Sequence, residues 1–350
     1  MKKVLIFIMV ILCNSLHLLA QEEKKEEPRG KVTGEFFGDY YYKIAGDTGS
    51  LLKGSGQYQQ TKKAMHGFEI RRFNLGYDYT FNATFSARLM LEGHDGFVVP
   101  SKDTRGVYIK YASMQWSNIF EGSDLIIGAQ ASPTFATFSE KLWSYRSVEK
   151  NIMDVHKHAS STDVGIALTG KIVPSVSYYF LVGNGKSSSI ENNKYKRLYG
   201  SVYGSLLDKK LLFQVYGDYE RQNDVKYNYI IKGFLGYQHN MFLIAAEPYN
   251  LTVATDTSAT RQSVFGITLF ARGTLIKDKL NGFYRIDFYD DDLNTNVGYK
   301  ETFMVIGLDF TPAKNINIIP NIWINGYSPE GGAIERKGDV VARLTFRYKI

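Results

Sequence analysis

Hydrophobic and polar residues alternate with a period of two along most of the chain. The alternation is clearest in residues 74–81, 85–92, 211–218, 284–288, 304–310 and 342–350. This is the period of a β-strand, whose successive side chains point to opposite faces, and not the 3.6-residue period of a helix. The segments run for about 9–14 residues, whereas an ordinary strand has about 5–6. A tilted strand needs about 9–11 residues to cross a bilayer, so the pattern indicates membrane-spanning strands.

Sixteen such segments can be counted, and each is expected to form one strand. They begin near Lys31, Phe68, Thr84, Gly106, Asp124, Thr162, Ser175, Arg197, Lys210, Tyr227, Met241, Arg261, Leu280, Glu301, Asn315 and Asp339. The connections alternate between short turns and longer polar loops. The longer set comprises residues 45–64, 94–104, 132–161, 183–196, 221–226, 251–260, 290–300 and 326–338. This rhythm is typical of outer-membrane barrels, which have short periplasmic turns and longer outer loops.

The predicted fold is therefore all-β. Residues 31–350 are expected to form a single transmembrane antiparallel β-barrel of about 16 strands, with both chain ends in the periplasm. The sheet is expected to close into a barrel because every backbone N–H and C=O group inside the hydrocarbon of the membrane needs a hydrogen-bond partner. A barrel of this size encloses an aqueous channel.

Composition agrees with a barrel. The chain has 25 tyrosines and 22 phenylalanines, yet its mean hydropathy is only −0.23. A barrel accounts for both values, because lipid contacts only alternate residues and aromatic rings form girdles at the two membrane interfaces. A single cysteine, Cys13, excludes a disulfide framework or a cysteine-based metal centre.

The N-terminus predicts secretion. Residues 1–20 have a basic start followed by an apolar run that ends at Ala20, as in a cleaved signal peptide. Residues 21–30 are charged and lack an apolar pattern, which indicates a short disordered tether. Together with the strand pattern, this start places the protein in the outer membrane of a Gram-negative bacterium.

Three segments in order resemble the phosphate-selective porin O and P family. They are residues 67–76 (GFEIRRFNLG), residues 108–116 followed by 125–133 (LIIGAQASP), and residues 164–166 followed by 177–185 (SYYFLVGNG). The resemblance implies a sixteen-stranded, often trimeric porin. The chain departs from the family at Ala131, where lysine is common, and at its last residue, Ile350, where phenylalanine or tryptophan is usual. Phe346 and Tyr348 still supply the outward aromatic face that the barrel-assembly machinery recognises.

The segment 132–161 is the candidate constriction, a loop expected to fold into the lumen and narrow it. Its potentially basic residues are Lys141, Arg146, Lys150, His156, Lys157 and His158. Only Glu140, Glu149 and Asp154 oppose them, and charge at a constriction sets ion selectivity. The prediction is a bias towards anions. The alternative is an ordinary solvated loop that covers the mouth of the barrel.

The alternation also assigns charged residues to the inner wall. The predicted basic wall residues are Arg72, Arg88, Arg272, Arg285, Arg343, Arg347 and Lys349. The acidic ones are Asp78, Glu92, Asp218, Glu220, Asp287 and Asp309. Seven cations against six anions predict a wet channel with paired charges, so a preference for phosphate rests on the family resemblance alone.

The predicted function is passive diffusion of small hydrophilic solutes, with an anion or phosphate bias, by a protein that is not an enzyme. The expected partners are outer-membrane lipid, these solutes, the barrel-assembly machinery and two further copies of the chain in a homotrimer. No cofactor, metal ion or nucleic acid is predicted. One alternative is a barrel enzyme of the phospholipase type, which needs a serine beside a histidine on the outer face, where no histidine is expected. The other is a plugged barrel that acts as an adhesin or scaffold.

Overall fold

Sixteen long strands make up most of the chain in the computed structural model, which describes residues 28–46, 58, 61–94, 98–99, 104–258, 261–295 and 297–350. The predicted signal peptide and most of the predicted tether lie outside the described residues. The strands, named β1 to β16 in chain order, are Arg29–Ala45, His66–Thr80, Phe85–His94, Tyr108–Phe120, Ser123–Ala131, Thr162–Val173, Val176–Gly183, Arg197–Leu206, Leu211–Arg221, Lys226–Gln238, Phe242–Thr255, Gln262–Ile276, Leu280–Asp290, Gly298–Ala313, Ile316–Glu330 and Asp339–Lys349.

The sheet closes on itself. Each strand pairs antiparallel with the next one in the chain, and β1 pairs with both β2 and β16. The last residue completes the seam, because Ile350 N donates to Gly34 O at 2.9 Å. The predicted all-β barrel of 16 antiparallel strands is confirmed.

The predicted strand starts agree with the structure to within three residues. The ends were less accurate. The β9–β10 connection, predicted as a long loop at 221–226, contains only residues 222–225, and β11 and β15 continue to Thr255 and Glu330. Strands extend beyond the membrane wherever ladder pairing continues, so polar composition alone does not mark where pairing stops. At the other end of the chain, β1 begins at Arg29, inside the predicted tether.

The outer wall is an apolar band. Exposed aliphatic side chains occur on strands all around it, for example Leu75, Ile127, Ile166, Val215, Leu235, Ile306, Ile322 and Leu344. Phe36 stacks on Tyr348 across the seam, with ring centroids 5.2 Å apart. A closed barrel with such a band is suited to an outer membrane, because lipid covers the apolar face and no strand edge is left unpaired.

Two short helices interrupt the connection between β5 and β6. They are α1, Ser139–Trp143, and α2, Ile152–Val155. The connection between β3 and β4 holds a small ladder of Val98–Val99 and Thr104–Arg105. In the part of the chain that the structure describes, no helix is long and apolar enough to cross a membrane.

Candidate pore constriction

The segment 132–161, here called the inner segment, lies inside the barrel. It starts and ends at the rim, where Ser132 N donates to Ser161 O at 3.0 Å. From there it contacts the inner wall of β9, where the hydroxyls of Thr134 and Tyr216 are 2.9 Å apart.

Wall side chains from both sides of the lumen hold the inner segment. Arg285 Nη1 donates to Lys150 O at 2.6 Å. Three further donors act in the same way: Arg71 to Ser147 O at 2.7 Å, Arg272 to Leu142 O at 2.7 Å, and Trp323 Nε1 to Glu149 Oε2 at 2.7 Å. These donors lie on β2, β12, β13 and β15, so the segment crosses the lumen instead of covering its mouth.

Aromatic packing fills the half of the lumen beside β12 and β13. Trp143 packs against Phe270 and Phe283 of β12 and β13, with ring centroids 5.3 and 5.9 Å apart. Tyr145 lies 4.3 Å from the ring of Phe283. Tyr58, from the connection between β1 and β2, is also buried and donates to Asp39 Oδ2 at 2.9 Å. The lumen therefore holds aromatic residues as well as the predicted wall charges. Part of the aromatic excess packs inside the barrel, around the inner segment, and not in the membrane girdles.

An open space remains along the wall of β2 to β5. It is a cavity of about 380 Å³. It is lined by Asp78, Tyr79, Thr80, Ser86, Ala87, Arg88, Tyr111, Ser113, Gln115, Ile126, Gln130, Ala131 and Tyr179. Apart from Tyr179 these residues belong to β2, β3, β4 and β5, on the side of the lumen opposite the aromatic packing.

Charged groups of the wall lie next to this cavity. Glu92, which is fully buried, accepts from Arg72 Nη2 at 2.7 Å, from Lys110 Nζ at 2.5 Å and from the Tyr108 hydroxyl at 2.7 Å. Nearer the turns, Arg88 Nε lies 3.2 Å from Asp78 Oδ1, and both side chains are about half exposed. Glu92 therefore pairs with two cations, Arg72 and Lys110, whereas Asp78 pairs with Arg88 alone.

The inner segment adds two cations to the same place. Arg146 pairs with Glu140 and with Asp154, the latter at 2.6 Å. Burial works to lower the pKa of Arg146, but the two carboxylates outweigh it and raise that pKa above its usual value. Burial and the nearby Arg88 lower the pKa of Lys141. Among the described residues, no carboxylate oxygen lies within the 4 Å of an ion pair to Lys141.

These groups are named the constriction cluster. Its cations are Arg72, Arg88, Lys110, Lys141 and Arg146. Its carboxylates are Asp78, Glu92, Glu140 and Asp154. Five cations against four carboxylates leave the cluster with one positive charge, and Lys141 is the cation without a carboxylate among these four. The predicted Lys150 is half-buried and interacts with the charges of Asp154 and Glu149, so counting Lys150 together with Glu149 leaves the difference at one.

The remaining predicted residues of the inner segment lie elsewhere. His156 stacks on Tyr289 with ring centroids 3.5 Å apart, and burial lowers its pKa to about 3. His158 Nδ1 lies 3.1 Å from the Tyr249 hydroxyl, and burial lowers its pKa to about 4. Both histidines are therefore neutral at pH 7 and add no charge to the pore, contrary to their prediction as basic groups. Lys157 is exposed, at a positive φ of 58°.

All seven predicted basic wall residues lie on the inner face, and each has a polar partner. Besides Arg72, Arg88, Arg272 and Arg285, Arg343 Nε donates to Asn321 Oδ1 at 2.8 Å. Arg347 Nε donates to Glu35 Oε1 at 2.6 Å, and Lys349 Nζ lies 3.7 Å from the same oxygen. Arg72 and Arg88 belong to the constriction cluster. The other five are residues of the inner wall outside that cluster.

The sequence pattern missed several inward charges. Arg71 points inwards together with Arg72 because a β-bulge lies opposite Phe37 and Gly38. Strict alternation cannot place two neighbouring residues on one face. Other inward charges that were missed are Lys43, Lys110, Arg197, Lys232, Glu247 and Asp339. A search for isolated charges inside apolar strands could have found Lys232, which follows Ile230 and Ile231.

The two buried histidines predict a loss of stability in acid. An unfolded histidine titrates near pH 6.5, whereas the folded-state pKa values of His156 and His158 are about 3 and 4. Below pH 6.5 the unfolded chain therefore binds more protons, so the free energy of unfolding falls as the pH falls. Urea unfolding in phospholipid vesicles at about pH 7 and about pH 4.5 should show a smaller fall for H156N/H158N than for the unaltered chain.

The matched control is H239N, which removes an exposed histidine from a periplasmic turn. It should leave the pH dependence of unfolding unchanged. An equal fall in stability for H156N/H158N and for the unaltered chain would show that the two histidines are not held neutral.

The barrel resembles solved outer-membrane proteins in fold. It superposes on the outer membrane channel DcaP of Acinetobacter baumannii with a TM-score of 0.67 and 13% identity, over 95% of this chain and 100% of that one. For the anion-selective porin from Comamonas acidovorans the TM-score is 0.64 with 12% identity, over 93% and 100% of the two chains. For the outer-membrane expressed OmpT of Vibrio cholerae the TM-score is 0.65 with 11% identity, over 93% of this chain and 99% of that one.

The fold is thus that of the outer-membrane porins, and the protein is an outer-membrane barrel. No protein-family model matches the chain, and no curated protein matches its sequence. The resemblance to the phosphate-selective porin O and P family therefore stays a prediction.

One histidine lies on the outer face, contrary to prediction. His66 begins β2, and its Nδ1 lies 3.2 Å from the Tyr40 hydroxyl. Its ring also packs beside the ring of Tyr42. Among the described residues no serine hydrogen-bonds to His66, so this part of the chain does not show the serine–histidine pair which that alternative requires.

Proposed function

We propose that the protein is an outer-membrane diffusion channel whose passage follows the wall of β2 to β5. The observation that carries the proposal is the asymmetry of the lumen. The inner segment packs against the far wall through Trp143 and Tyr145, while the cavity of about 380 Å³ remains beside β2 to β5. Solutes would pass between the inner segment and the cations of the near wall.

The proposed solutes are small anions, inorganic phosphate among them. The constriction cluster carries one excess positive charge, and Lys141 is the cation without a carboxylate among its four. Charge at the narrowest point of a pore sets selectivity, since a solute there is stripped of part of its hydration and lies within a few ångströms of the wall. Salt screens such charges, so the bias should weaken as ionic strength rises.

A homotrimer is the proposed assembly. A trimer form is described for one solved structure of similar fold, the in-vitro folded OmpT of Vibrio cholerae, with a TM-score of 0.61. On the C-terminal strand, Phe346 and Tyr348 present aromatic rings to the outside, which is the signal proposed for the barrel-assembly machinery.

The anion bias can be tested at Lys141. Replacing it by glutamate changes the constriction cluster from five cations and four carboxylates to four cations and five carboxylates. In a salt gradient across a planar bilayer, the reversal potential of K141E should therefore change from the anion side to the cation side.

The matched control is K194E, which makes the same charge change on an outer loop where Lys194 pairs with Asp224 and its side chain is 73% exposed. Its reversal potential should stay close to that of the unaltered chain. An unchanged reversal potential for K141E would exclude the constriction cluster as the selectivity filter.

A plugged barrel is the second candidate, and one observation favours it. The inner segment forms continuous apolar clusters with the wall, in which Phe135, Val148, Ile152 and Met153 are almost completely buried. Packing of this kind is that of a protein core, and it would suit an adhesin or scaffold. Such a barrel would give no ion current in the reversal-potential experiment.

A further inference from the structure

A groove is present on the outer, lipid-facing wall at the end of the barrel that carries the short turns. It has a volume of about 490 Å³ and lies across β9 to β13. Its outward-facing lining residues are Leu211, Leu235, Tyr237, Ile244, Ala246, Leu269, Ala271, Tyr284 and Ile286. Ala246 and Ala271 form the floor because their side chains are short, and the larger neighbours form the sides. It is called the periplasmic groove below.

The depth of the groove matches one leaflet of a bilayer. It begins at Tyr237, one residue before β10 ends, and reaches Leu269, seven residues before β12 ends. The six residues between these two levels, at about 3.3 Å each and tilted by about 45°, span about 14 Å of membrane depth. Half of a hydrocarbon core about 30 Å thick is about 15 Å, so the length of the groove is close to the thickness of one leaflet.

Charges surround the membrane-surface end of the groove. Lys209 and Lys210 are exposed in the turn before β9, and Lys277 and Lys279 are exposed in the turn before β13. Asp208 and Asp278 lie in the same turns, which leaves four cations against two carboxylates. Lysine ammonium groups at the membrane surface attract anionic lipid headgroups and donate charge-assisted hydrogen bonds to phosphate oxygens.

We propose that the periplasmic groove binds one acyl chain of an anionic phospholipid of the inner leaflet, whose phosphate contacts the turn lysines. The apolar floor accepts the chain, and the match to one leaflet excludes a ligand that spans the membrane. Tyr237, at the surface end, places its hydroxyl at the level of the lipid glycerol and phosphate, as interfacial tyrosines do. This site is independent of the proposed channel, because all of its chain-binding residues face outwards.

The test uses the full-length barrel in nanodiscs of phosphatidylcholine that contain a minor fraction of phosphatidylglycerol, followed by native mass spectrometry. The unaltered chain should retain one phosphatidylglycerol molecule. A271F fills the groove and should lose it, whereas A112F, which enlarges an exposed outward alanine on β4, should keep it. If A271F fails to fold, A246L fills the same floor with a smaller side chain.

A second pair of variants tests the headgroup. K209Q/K210Q should reduce phosphatidylglycerol retention, while K62Q/K63Q, which neutralises an exposed lysine pair at the opposite end of the barrel, should not. Retention by A271F equal to that of the unaltered chain would overturn the groove as the binding site. Equal retention by K209Q/K210Q would overturn the proposal that the turn lysines select the lipid.

Discussion

Removal of the inner segment should raise the single-channel conductance several-fold. In this variant residues 133–160 are replaced by two glycines, which is sterically feasible because Ser132 and Ser161 are already joined by a backbone hydrogen bond of 3.0 Å. All sixteen strands and their pairing remain, and an unobstructed barrel of this size encloses an aqueous channel. The measurement is single-channel current in planar bilayers at fixed voltage and salt.

The control shortens the outer connection between β7 and β8 by residues 188–195, and it keeps Ser187, which accepts a hydrogen bond from Ser160 Oγ of the inner segment at 2.7 Å. Its conductance should stay near that of the unaltered chain. Circular dichroism must show that the strand content of both variants is retained, because loss of the inner segment exposes Phe270 and Phe283 to water. A folded deletion variant with unchanged conductance would show that the inner segment does not limit the passage.

Replacement of Glu247 by leucine should cause the largest loss of stability of any single substitution proposed for this chain. Glu247 Oε1 accepts from Lys232 Nζ at 2.7 Å and from Ser139 Oγ at 2.7 Å, and its other oxygen accepts from Asn151 Nδ2 at 3.0 Å. Both members of the ion pair are buried, with exposed side-chain fractions of 0% and 3%. Loss of one partner leaves the other charge buried and unpaired, which costs about 3–5 kcal/mol.

The measurement is the free energy of unfolding from urea titrations in phospholipid vesicles. K232M/E247L removes both charges and should recover part of the loss seen in E247L. D256N breaks the exposed pair of Arg221 and Asp256 and should cost far less stability, because water screens exposed charges. Equal destabilisation by E247L and D256N would mean that water reaches the Lys232–Glu247 pair.

The barrel could be predicted from the sequence because the alternation that defines each strand involves only residues that are neighbours in the chain. Lipid on one side and the lumen on the other impose a period of two on every strand, as at Leu75 and Tyr77 or Ile306 and Leu308, whose side chains are all exposed on the outer wall. The same rule placed Arg285 and Arg343 on the inner face. It could not show what these side chains contact, because Arg285 binds the backbone of Lys150, 135 residues away in the sequence.

The candidate site was only partly predictable for the same reason. Lys141 and Arg146 were singled out by charge, and Glu92 was placed on the inner wall by its alternation. The sequence did not show that Arg146 pairs with Glu140 and Asp154, or that Lys110 of β4, where alternation is unclear, faces inwards to pair with Glu92. A β-bulge turned Arg71 inwards, and burial neutralised His156. Such effects depend on tertiary packing, which a single sequence without structural context does not encode in any short pattern.

The most direct test of the proposed function is single-channel recording of the unaltered chain in planar bilayers. The open space beside β2 to β5 predicts discrete conductance steps, smaller than those of the variant that lacks residues 133–160, with a reversal potential on the anion side. A folded, inserted barrel that gives no steps, while the deletion variant conducts, would contradict the channel and establish the inner segment as a plug.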